Sequence, residues 1–302
     1  MLASTWVGDA LKWVVLLYVA LAVGALVLCF VLPKSRRVQW VCGIAVAVAV
    51  LYFPVKIVVE TKLRQMQRDA RVDEAFRRYE EHCKTAGIKI TRTVENVEGL
   101  VLMKVRPKNI NYGDRYAMDD PYGLDSGGDG YIQDFLLGRD PAGYLNVKNI
   151  VRSGYRFVDV VDETDGKRYR YTGRAEEPAK KDPRYSKGYY RFVLEKSLAV
   201  PPYPRYGVTY DDISTREDRD YWIAGSSLKV IDLETSEVIA ERVGYMVDPG
   251  QGNISGGRSP WLIALDYACP NFFKFGKASP GEHAIAVEQT RNFVEKVLFP
   301  KQ

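Results

Sequence analysis

Two long apolar runs near the start of the chain constrain its fold more than any other feature of the sequence. The first run, Trp13–Leu32, has 20 residues and no charged side chain, and the second, Val38–Val59, has 22 residues with Lys56 near its end. A helix of about 20 residues is about 30 Å long, which matches the hydrocarbon core of a bilayer. The sequence therefore predicts a transmembrane hairpin over residues 1–59, with helices at about 13–32 and 38–59 in the lipid bilayer.

A cleaved signal peptide is the alternative interpretation of the first run. Signal peptides have an apolar region of about 7–15 residues that is followed by a cleavage site of small residues. The run Trp13–Leu32 is longer than that, and no such site precedes the second run. The pattern therefore favours a membrane hairpin.

The charges around the two runs indicate an orientation. The linker Pro33–Gln39 contains Lys34, Arg36 and Arg37 and no acid, and short loops with excess basic residues stay in the cytoplasm. Both termini and the main domain would then lie in the periplasm of a bacterium, with the hairpin in the inner membrane. Six basic residues within Lys62–Arg78 oppose this orientation, so a cytoplasmic main domain stays open.

The net charge of the chain is +5, which by itself could indicate a nucleic-acid partner. Residues 1–59 contain five basic residues and one acid, and therefore carry +4 of that charge. The remainder of the chain is close to neutral. We therefore assign the excess charge to membrane orientation and predict no nucleic-acid partner.

The four cysteines fall into two pairs. Cys29 and Cys42 lie in the apolar runs, whereas Cys83 and Cys269 lie in the rest of the chain. An even pair in an exported domain is compatible with one disulfide. The sequence predicts a Cys83–Cys269 disulfide, and two buried thiols in a cytoplasmic domain are the alternative.

Residues 60–86 continue a helical pattern, with apolar side chains at intervals of three and four residues. Leu63, Met66 and Ala70 form one stripe, and a second group with 4-3-4 spacing continues it: Val72, Phe76, Tyr79 and Cys83. Gly87 is a typical residue just beyond a helix end. We therefore expect the second membrane helix to continue as a stalk helix over residues 60–86, which leads into the remaining chain. A break near Glu60 is the alternative.

The remaining chain, residues 87–302, predicts a soluble α+β domain. Short β-prone runs flank turn residues within 155–172 and within 221–247, and each pair of runs is typical of an antiparallel hairpin. The residues Ser279–Glu282 match a helix start with a capping box, so a C-terminal helix is expected at about 280–298. The predicted fold is a mainly antiparallel sheet flanked by the stalk helix and this C-terminal helix.

Segment 107–130 is rich in glycine and aspartate and provides weak candidates for a metal site. The candidate ligands are Asp119, Asp120, Asp125 and Asp129. Flexible loops rich in oxygen ligands can bind calcium, but this spacing does not match an EF-hand loop. Solvated turn aspartates are therefore the default interpretation, and no cofactor is predicted.

Tyrosine is unusually frequent in the β-rich part of the chain. Five tyrosines cluster around a proline-rich kink: Tyr185, Tyr189, Tyr190, Tyr203 and Tyr206. Tyrosine gives a large contact area at low entropic cost, which suits recognition surfaces. These five residues are the predicted binding surface, and packing in the core or at a sheet edge is the alternative.

Chemical motifs are scarce, so a binding function is favoured over an enzymatic one. The chain has only two histidines, His82 and His283, and no recognisable nucleophile or phosphate-binding motif. The leading hypothesis is a non-enzymatic, membrane-anchored interaction protein of the bacterial envelope, of an immunity or scaffold type, with a periplasmic protein partner. The alternatives are an envelope hydrolase that uses a carboxylate pair within residues 210–222, and a membrane sensor.

Overall fold

The computed structural model describes residues 3–108, 111–123, 125–137, 154–162, 164–271 and 289–301. The chain divides into two compact units, Met1–Ala70 and Arg71–Gln302. The predicted C-terminal helix at 280–298 begins outside the described residues.

The first unit contains helix α1 (Ala3–Val31) and the first part of helix α2 (Arg36–Cys83). Both helices are long and apolar enough to cross a membrane, by length and composition. The chain reverses direction between them, where the Gln39 side chain donates hydrogen bonds to the carbonyl oxygens of Phe30 and Pro33, at 2.9 and 3.0 Å. The sequence prediction of an N-terminal pair of apolar helices is therefore confirmed.

Helix α2 is a single helix of 48 residues with Pro54 inside it, so the second apolar run and the stalk segment form one continuous helix. The predicted apolar stripe divides into two parts. Leu63 and Met66 are exposed, whereas Phe76 and Tyr79 are partly buried and pack beside the fully buried Ala75. The last turns of α2, from Arg71 on, therefore belong to the second unit.

The folded domain contains β-strands and short helices. In chain order, the strands are β1 (Gly87–Ile90), β2 (Val94–Val97), β3 (Gly99–Leu102), β4 (Phe157–Val161), β5 (Arg168–Glu176), β6 (Arg191–Leu198), β7 (Tyr206–Asp212), β8 (Ile223–Asp232), β9 (Glu237–Val247), β10 (Ala268–Cys269) and β11 (Leu298–Pro300). The helices are α3 (Asp129–Leu137), α4 (Arg216–Asp220), α5 (Pro260–Ala264) and α6 (Gln289–Val294).

Nine of the described strands form one sheet in the order β1-β9-β8-β7-β3-β4-β5-β6, with β10 paired to β9. The predicted hairpins are present, since β4 pairs with β5 and β8 pairs with β9, both antiparallel. The sheet is nevertheless mixed, because β3 is parallel to both of its neighbours, β4 and β7. The prediction of a mainly antiparallel sheet therefore did not include the two parallel pairings at its centre, β3 with β4 and β3 with β7.

Strand β3 has the composition that a central parallel strand requires. All four residues of Gly99–Leu102 are buried, and strands of parallel sheets are buried on both faces. Gly99 allows the Phe157 ring of β4 to lie close, because a Cβ at this position would be 2.4 Å from it. The strand therefore fixes the interior of the sheet, between two neighbours that are distant in sequence.

The main core lies on one face of the sheet. Leu100, Val158, Val208 and Leu228 project from four adjacent strands. Helix α3 packs on them through Tyr131, Ile132, Phe135 and Leu136, and helix α6 packs through Phe293 and Val294. Helix α6 ends at Val294, and Leu298 begins strand β11, which pairs with β2 in parallel. The C-terminal helix predicted to reach residue 298 is therefore shorter at this end.

The other face of strands β8 and β9 receives the end of helix α2. Ile223, Tyr245 and Val247 form a small cluster with Ala75. The neighbouring residue Ala224 points to the opposite face, as strand alternation requires, where it joins Trp222, Trp261 and Met246. These two strands therefore hold α2 on one side and α5 on the other.

A disulfide closes the contact between α2 and the sheet. Cys83, the last residue of α2, is bonded to Cys269 in β10, with a Cα–Cα distance of 5.7 Å and a sequence separation of 186 residues. The predicted cysteine pair is therefore at bonding distance. A cross-link of this kind restricts the unfolded chain more strongly when the loop that it closes is longer.

Removal of the disulfide should lower the stability of the folded domain. We expect the double substitution Cys83→Ser and Cys269→Ser to reduce the free energy of unfolding by about 2–5 kcal/mol, measured by urea unfolding in detergent. Dithiothreitol should bring the wild-type protein to the same midpoint and leave the double variant unchanged. Equal midpoints for the oxidised wild type and the variant would contradict this expectation.

Candidate functional site

The connection between β5 and β6 forms an exposed tip, defined here as residues 177–190. Tyr185 and Tyr189 are 42% and 50% exposed in this tip. Their rings are stacked with centroids 6.1 Å apart and an angle of 5° between the ring planes. The pair therefore presents a preformed aromatic surface to the surroundings of the protein.

The chain around the tip is basic. Six basic and three acidic residues lie between Arg174 and Arg191. Glu176 is already held by Lys181 at 2.6 Å and by Arg191 at 3.2 Å. Glu177 accepts a hydrogen bond from the backbone N–H of Gly188 at 2.8 Å, which lowers the pKa of the Glu177 carboxyl. Glu176 at the end of β5 and Glu177 in the tip are thus used internally, and the excess charge of the exposed surface is positive.

The structure separates the five tyrosines that the sequence grouped. Tyr190 lies with the stacked pair, half-buried, and its hydroxyl donates to Glu177 at 3.5 Å. Tyr203 is exposed but follows the opposite end of β6, which spans about 24 Å at about 3.4 Å per residue. Tyr206 lies in β7 and packs against the main core. The tip therefore contains three of the five predicted residues.

Two of the four candidate metal ligands are buried ion-pair partners instead. Asp120 and Asp125 are 1% and 2% exposed, and both carboxylates contact Arg106, at 3.0 Å from Nη1 and 2.9 Å from Nε. Ser226 donates to Asp120 at 2.9 Å, and the backbone N–H of Thr290 donates to Asp125 at 2.9 Å. The interpretation of these aspartates as solvated turn residues is therefore wrong.

Arg106 is the centre of this cluster and is only 2% exposed. Its guanidinium lies 4.1 Å from the centroid of the Tyr210 ring. Burial alone would lower the pKa of Arg106, but the carboxylates of Asp120 and Asp125 raise it overall, so the side chain remains charged. Gly123 lies against the guanidinium, where a Cβ would be 2.0 Å from Nη1; this close approach therefore requires glycine.

The other two candidate ligands are exposed. Asp119 forms an ion pair with Lys104 at 2.9 Å, and Asp129 lies in the first turn of α3, where a negative charge is favoured by the helix dipole. Across the part of the chain that the structure describes, no group of three or more metal-ligating side chains converges. The contacts of the four aspartates are therefore those of a structural loop.

The acids within residues 210–222 also have structural partners. Asp212 pairs with Arg219 at 2.7 Å. Asp218 completes a capping box with Thr215 at the start of α4 and contacts His82 at 2.9 Å. Burial by itself would raise the pKa of Asp218, but the hydrogen bonds from Thr215 and His82 lower it overall. These carboxylates stabilise α4 and its contact with α2, which offers no support for the acid–base pair of a hydrolase.

The chain matches no protein-family model, no curated protein and no solved structure. Any function therefore has to follow from its own residues and their geometry.

Sequence reasoning missed the buried arginines Arg106 and Arg242, although one signal was present. Ala240, Arg242, Gly244 and Met246 alternate along β9 on one face, and all four are buried. A strand with one buried face places every second residue inward, so this register would have predicted an inward Arg242. Arg106 follows β3 in a segment without such alternation, so no comparable pattern predicts its burial.

Loss of Arg106 should destabilise the domain strongly, because two buried carboxylates would lose their partner. We expect Arg106→Met to reduce the free energy of unfolding by about 3–5 kcal/mol, measured by chemical denaturation. Adding Asp120→Asn and Asp125→Asn should restore part of that loss. Lys104→Met is the matched control, since its exposed ion pair is worth about 0–1 kcal/mol; equal effects of the two single substitutions would refute the assignment.

Proposed function

We propose that the protein is a membrane-anchored binding protein of the bacterial envelope, with its folded domain in the periplasm. The anchor would be the pair of apolar helices α1 and α2, whose lengths match a bilayer. The side chains of the two apolar runs are largely exposed, including Trp13 at 72% and Trp40 at 64%. Lipid would cover this apolar surface, which water would not solvate favourably.

The disulfide supports a periplasmic domain. Disulfides persist in the periplasm and are rare in the reducing cytoplasm. Cys83 and Cys269 are bonded, and the basic linker between the apolar helices favours the cytoplasm for the hairpin turn. The disulfide and the basic linker independently favour a periplasmic domain. The basic residues that follow the second apolar run favour the opposite orientation.

The observation that carries the binding function is the stacked, exposed pair of Tyr185 and Tyr189 on a basic tip. Aromatic residues concentrate in protein interfaces because they bury a large area with few rotatable bonds. The positive tip fits an acidic partner surface, which would also accelerate association. We therefore propose an acidic periplasmic protein as the partner, in a scaffold or immunity role.

The hydrolase alternative has no comparable support among the described residues. Asp212 and Asp218, two of the carboxylates within residues 210–222, are held by Arg219 and by Thr215. A sensor function is likewise without a specific contact in its favour. The exposed tyrosine pair therefore favours binding over hydrolysis or sensing.

Reporter fusions test the orientation in a bacterial host. Alkaline phosphatase fused after Gln302 should be active, because the enzyme requires export to form its own disulfides. The same reporter fused after Ser35, in the basic linker, should be inactive and is the matched control. An inactive Gln302 fusion with an active Ser35 fusion would reverse the proposed topology.

Substitution of the tip tests the binding surface. We expect Tyr185→Ala with Tyr189→Ala to reduce retention of an acidic partner in affinity purification from detergent at least tenfold, since aromatic anchors dominate interface energies. Stability should change by less than about 0.5 kcal/mol, as for other surface substitutions. Tyr203→Ala, at the far end of β6, is the control and should retain the partner. Equal retention by both variants would remove the tip as the interface.

A further inference from the structure

Strand β6 lies at one edge of the large sheet. It pairs with β5 along its whole length, in an antiparallel register without a bulge, from Arg191 at its start to Leu198 at its end. Among the residues that the structure describes, no strand lies on its other side. An edge strand presents a row of backbone N–H and C=O groups with which another strand can pair.

The hydrogen bonds to β5 show which residues of β6 direct these groups outward. The backbone N–H of Ala199 donates to the carbonyl oxygen of Arg168 at 3.0 Å, so these two residues, which extend the register of β5 and β6 by one position, form a hydrogen-bonded pair. Hydrogen-bonded and non-hydrogen-bonded pairs alternate along antiparallel strands. The backbone groups of four residues therefore point away from β5: Phe192, Leu194, Lys196 and Leu198.

The edge lacks several of the features that usually prevent pairing between edge strands, which are short length, proline and bulges. Strand β6 has eight residues and no proline. Glu195 already forms an ion pair with Arg174 at 2.7 Å, and Lys196 forms one with Asp162 at 3.1 Å. Three consecutive half-buried residues in the first half of the strand are apolar: Phe192, Val193 and Leu194. The first half of β6 is therefore suited to a second strand.

The sequence of β6 is complementary to itself in one register. If two copies of the strand paired antiparallel about a two-fold axis at Val193, Arg191 of each copy would lie opposite Glu195 of the other. Phe192 would lie opposite Leu194 in the same way. Opposite charges and apolar side chains directly across from each other stabilise adjacent strands. Phe192 and Leu194 also direct their backbone groups outward, so this pair would form both of its hydrogen bonds.

The neighbouring registers lack this complementarity. An axis at Glu195 or at Lys196 would place two like charges directly opposite each other, which destabilises paired strands. An axis at Leu194 would place the apolar Val193 opposite the charged Glu195. The composition of β6 therefore selects the axis at Val193.

The ion pairs within one copy would continue across the interface. Arg191 contacts Glu176 at 3.2 Å, and Glu195 contacts Arg174 at 2.7 Å. Pairing at Val193 would join these two ion pairs, one from each copy, into a row of alternating charge. No charge of β6 would have to be buried without a partner, which is the costly case at an interface.

We propose that the protein forms a homodimer in which the β6 strands of two copies pair antiparallel about a two-fold axis at Val193, so that the two sheets become one. A surface that is complementary to itself is what a two-fold dimer requires. The pairing uses the edge of the sheet and does not rest on the partner proposed for the tip.

Cysteine cross-linking of the full-length protein in membranes tests the register, in a background with Cys29→Ser and Cys42→Ser. Across the axis, the Cα atoms of the non-hydrogen-bonded Val193 pair would be about 4.5 Å apart, which a disulfide spans. Val193→Cys should therefore give a covalent dimer on oxidation with copper phenanthroline. Ser197→Cys is the matched control, because the two copies of this position on the same face would be about 27 Å apart.

The cross-linking rates decide between the outcomes. We expect Val193→Cys to cross-link at least about tenfold faster than Ser197→Cys, because only the first pair lies within the Cα–Cα range of a disulfide. Absence of a covalent dimer with Val193→Cys, or equal rates for the two variants, would overturn the proposal.

A charge at the axis tests the contribution of the interface to assembly. Val193→Glu would place two carboxylates opposite each other in the dimer, whereas within one copy the new carboxylate would lie opposite Arg174 of β5. We expect this variant to raise the Kd of the dimer at least about tenfold, measured by analytical ultracentrifugation in detergent. Ser197→Glu, opposite Arg170 of β5, is the matched control and should change the Kd less than about threefold.

Thermal unfolding of both glutamate variants shows whether each is folded. If Val193→Glu does not fold, the cross-linking rates alone decide. A wild-type protein that stays monomeric at every concentration, or a dimer that the two glutamate substitutions weaken equally, would overturn the proposed pairing.

Discussion

The folded domain depends on the burial of one cation, Arg106, against two carboxylates. Asp120 and Asp125 would be costly to bury alone, and so would the guanidinium. Together they connect the glycine-rich loop to Ser226 in β8 and to Thr290 in α6. Because each charge requires the others, the loop has one arrangement in which all are satisfied, and this arrangement aligns α6 with the sheet. A loop that is polar in sequence thus acts as an interior part of the fold.

Local patterns predicted the elements whose partners are close in sequence. The apolar runs predicted the helix pair, and the alternation around residues 162–166 and 234–236 predicted the β4–β5 and β8–β9 hairpins that the structure contains. Pairing between distant segments could not be predicted in this way. Strand β3 meets β4 and β7 only after long connections, and no local pattern specifies a parallel neighbour.

The candidate site shows the same division. The exposure of Tyr185 and Tyr189 follows from the proline- and charge-rich segment that contains them, which is visible in the sequence. The packing of Tyr206 follows only from its position in β7. The burial of Asp120 and Asp125 could not be inferred from residues 107–130 alone. It depends on the contacts of both carboxylates with Arg106, which lies just after β3. Charged residues become interior only in sets, and the members of such a set are scattered along the chain.

The bond between Cys83 and Cys269 gives the polypeptide the topology of a ring with two tails. Any single peptide bond between these two cysteines can be cut, for example in the exposed tip, without separating the fragments. Both pieces stay covalently attached to helix α2, and through it to the apolar segment at the N-terminal end of that helix. A protease that nicks the domain would therefore leave its products where the intact protein was, until a reductant released them.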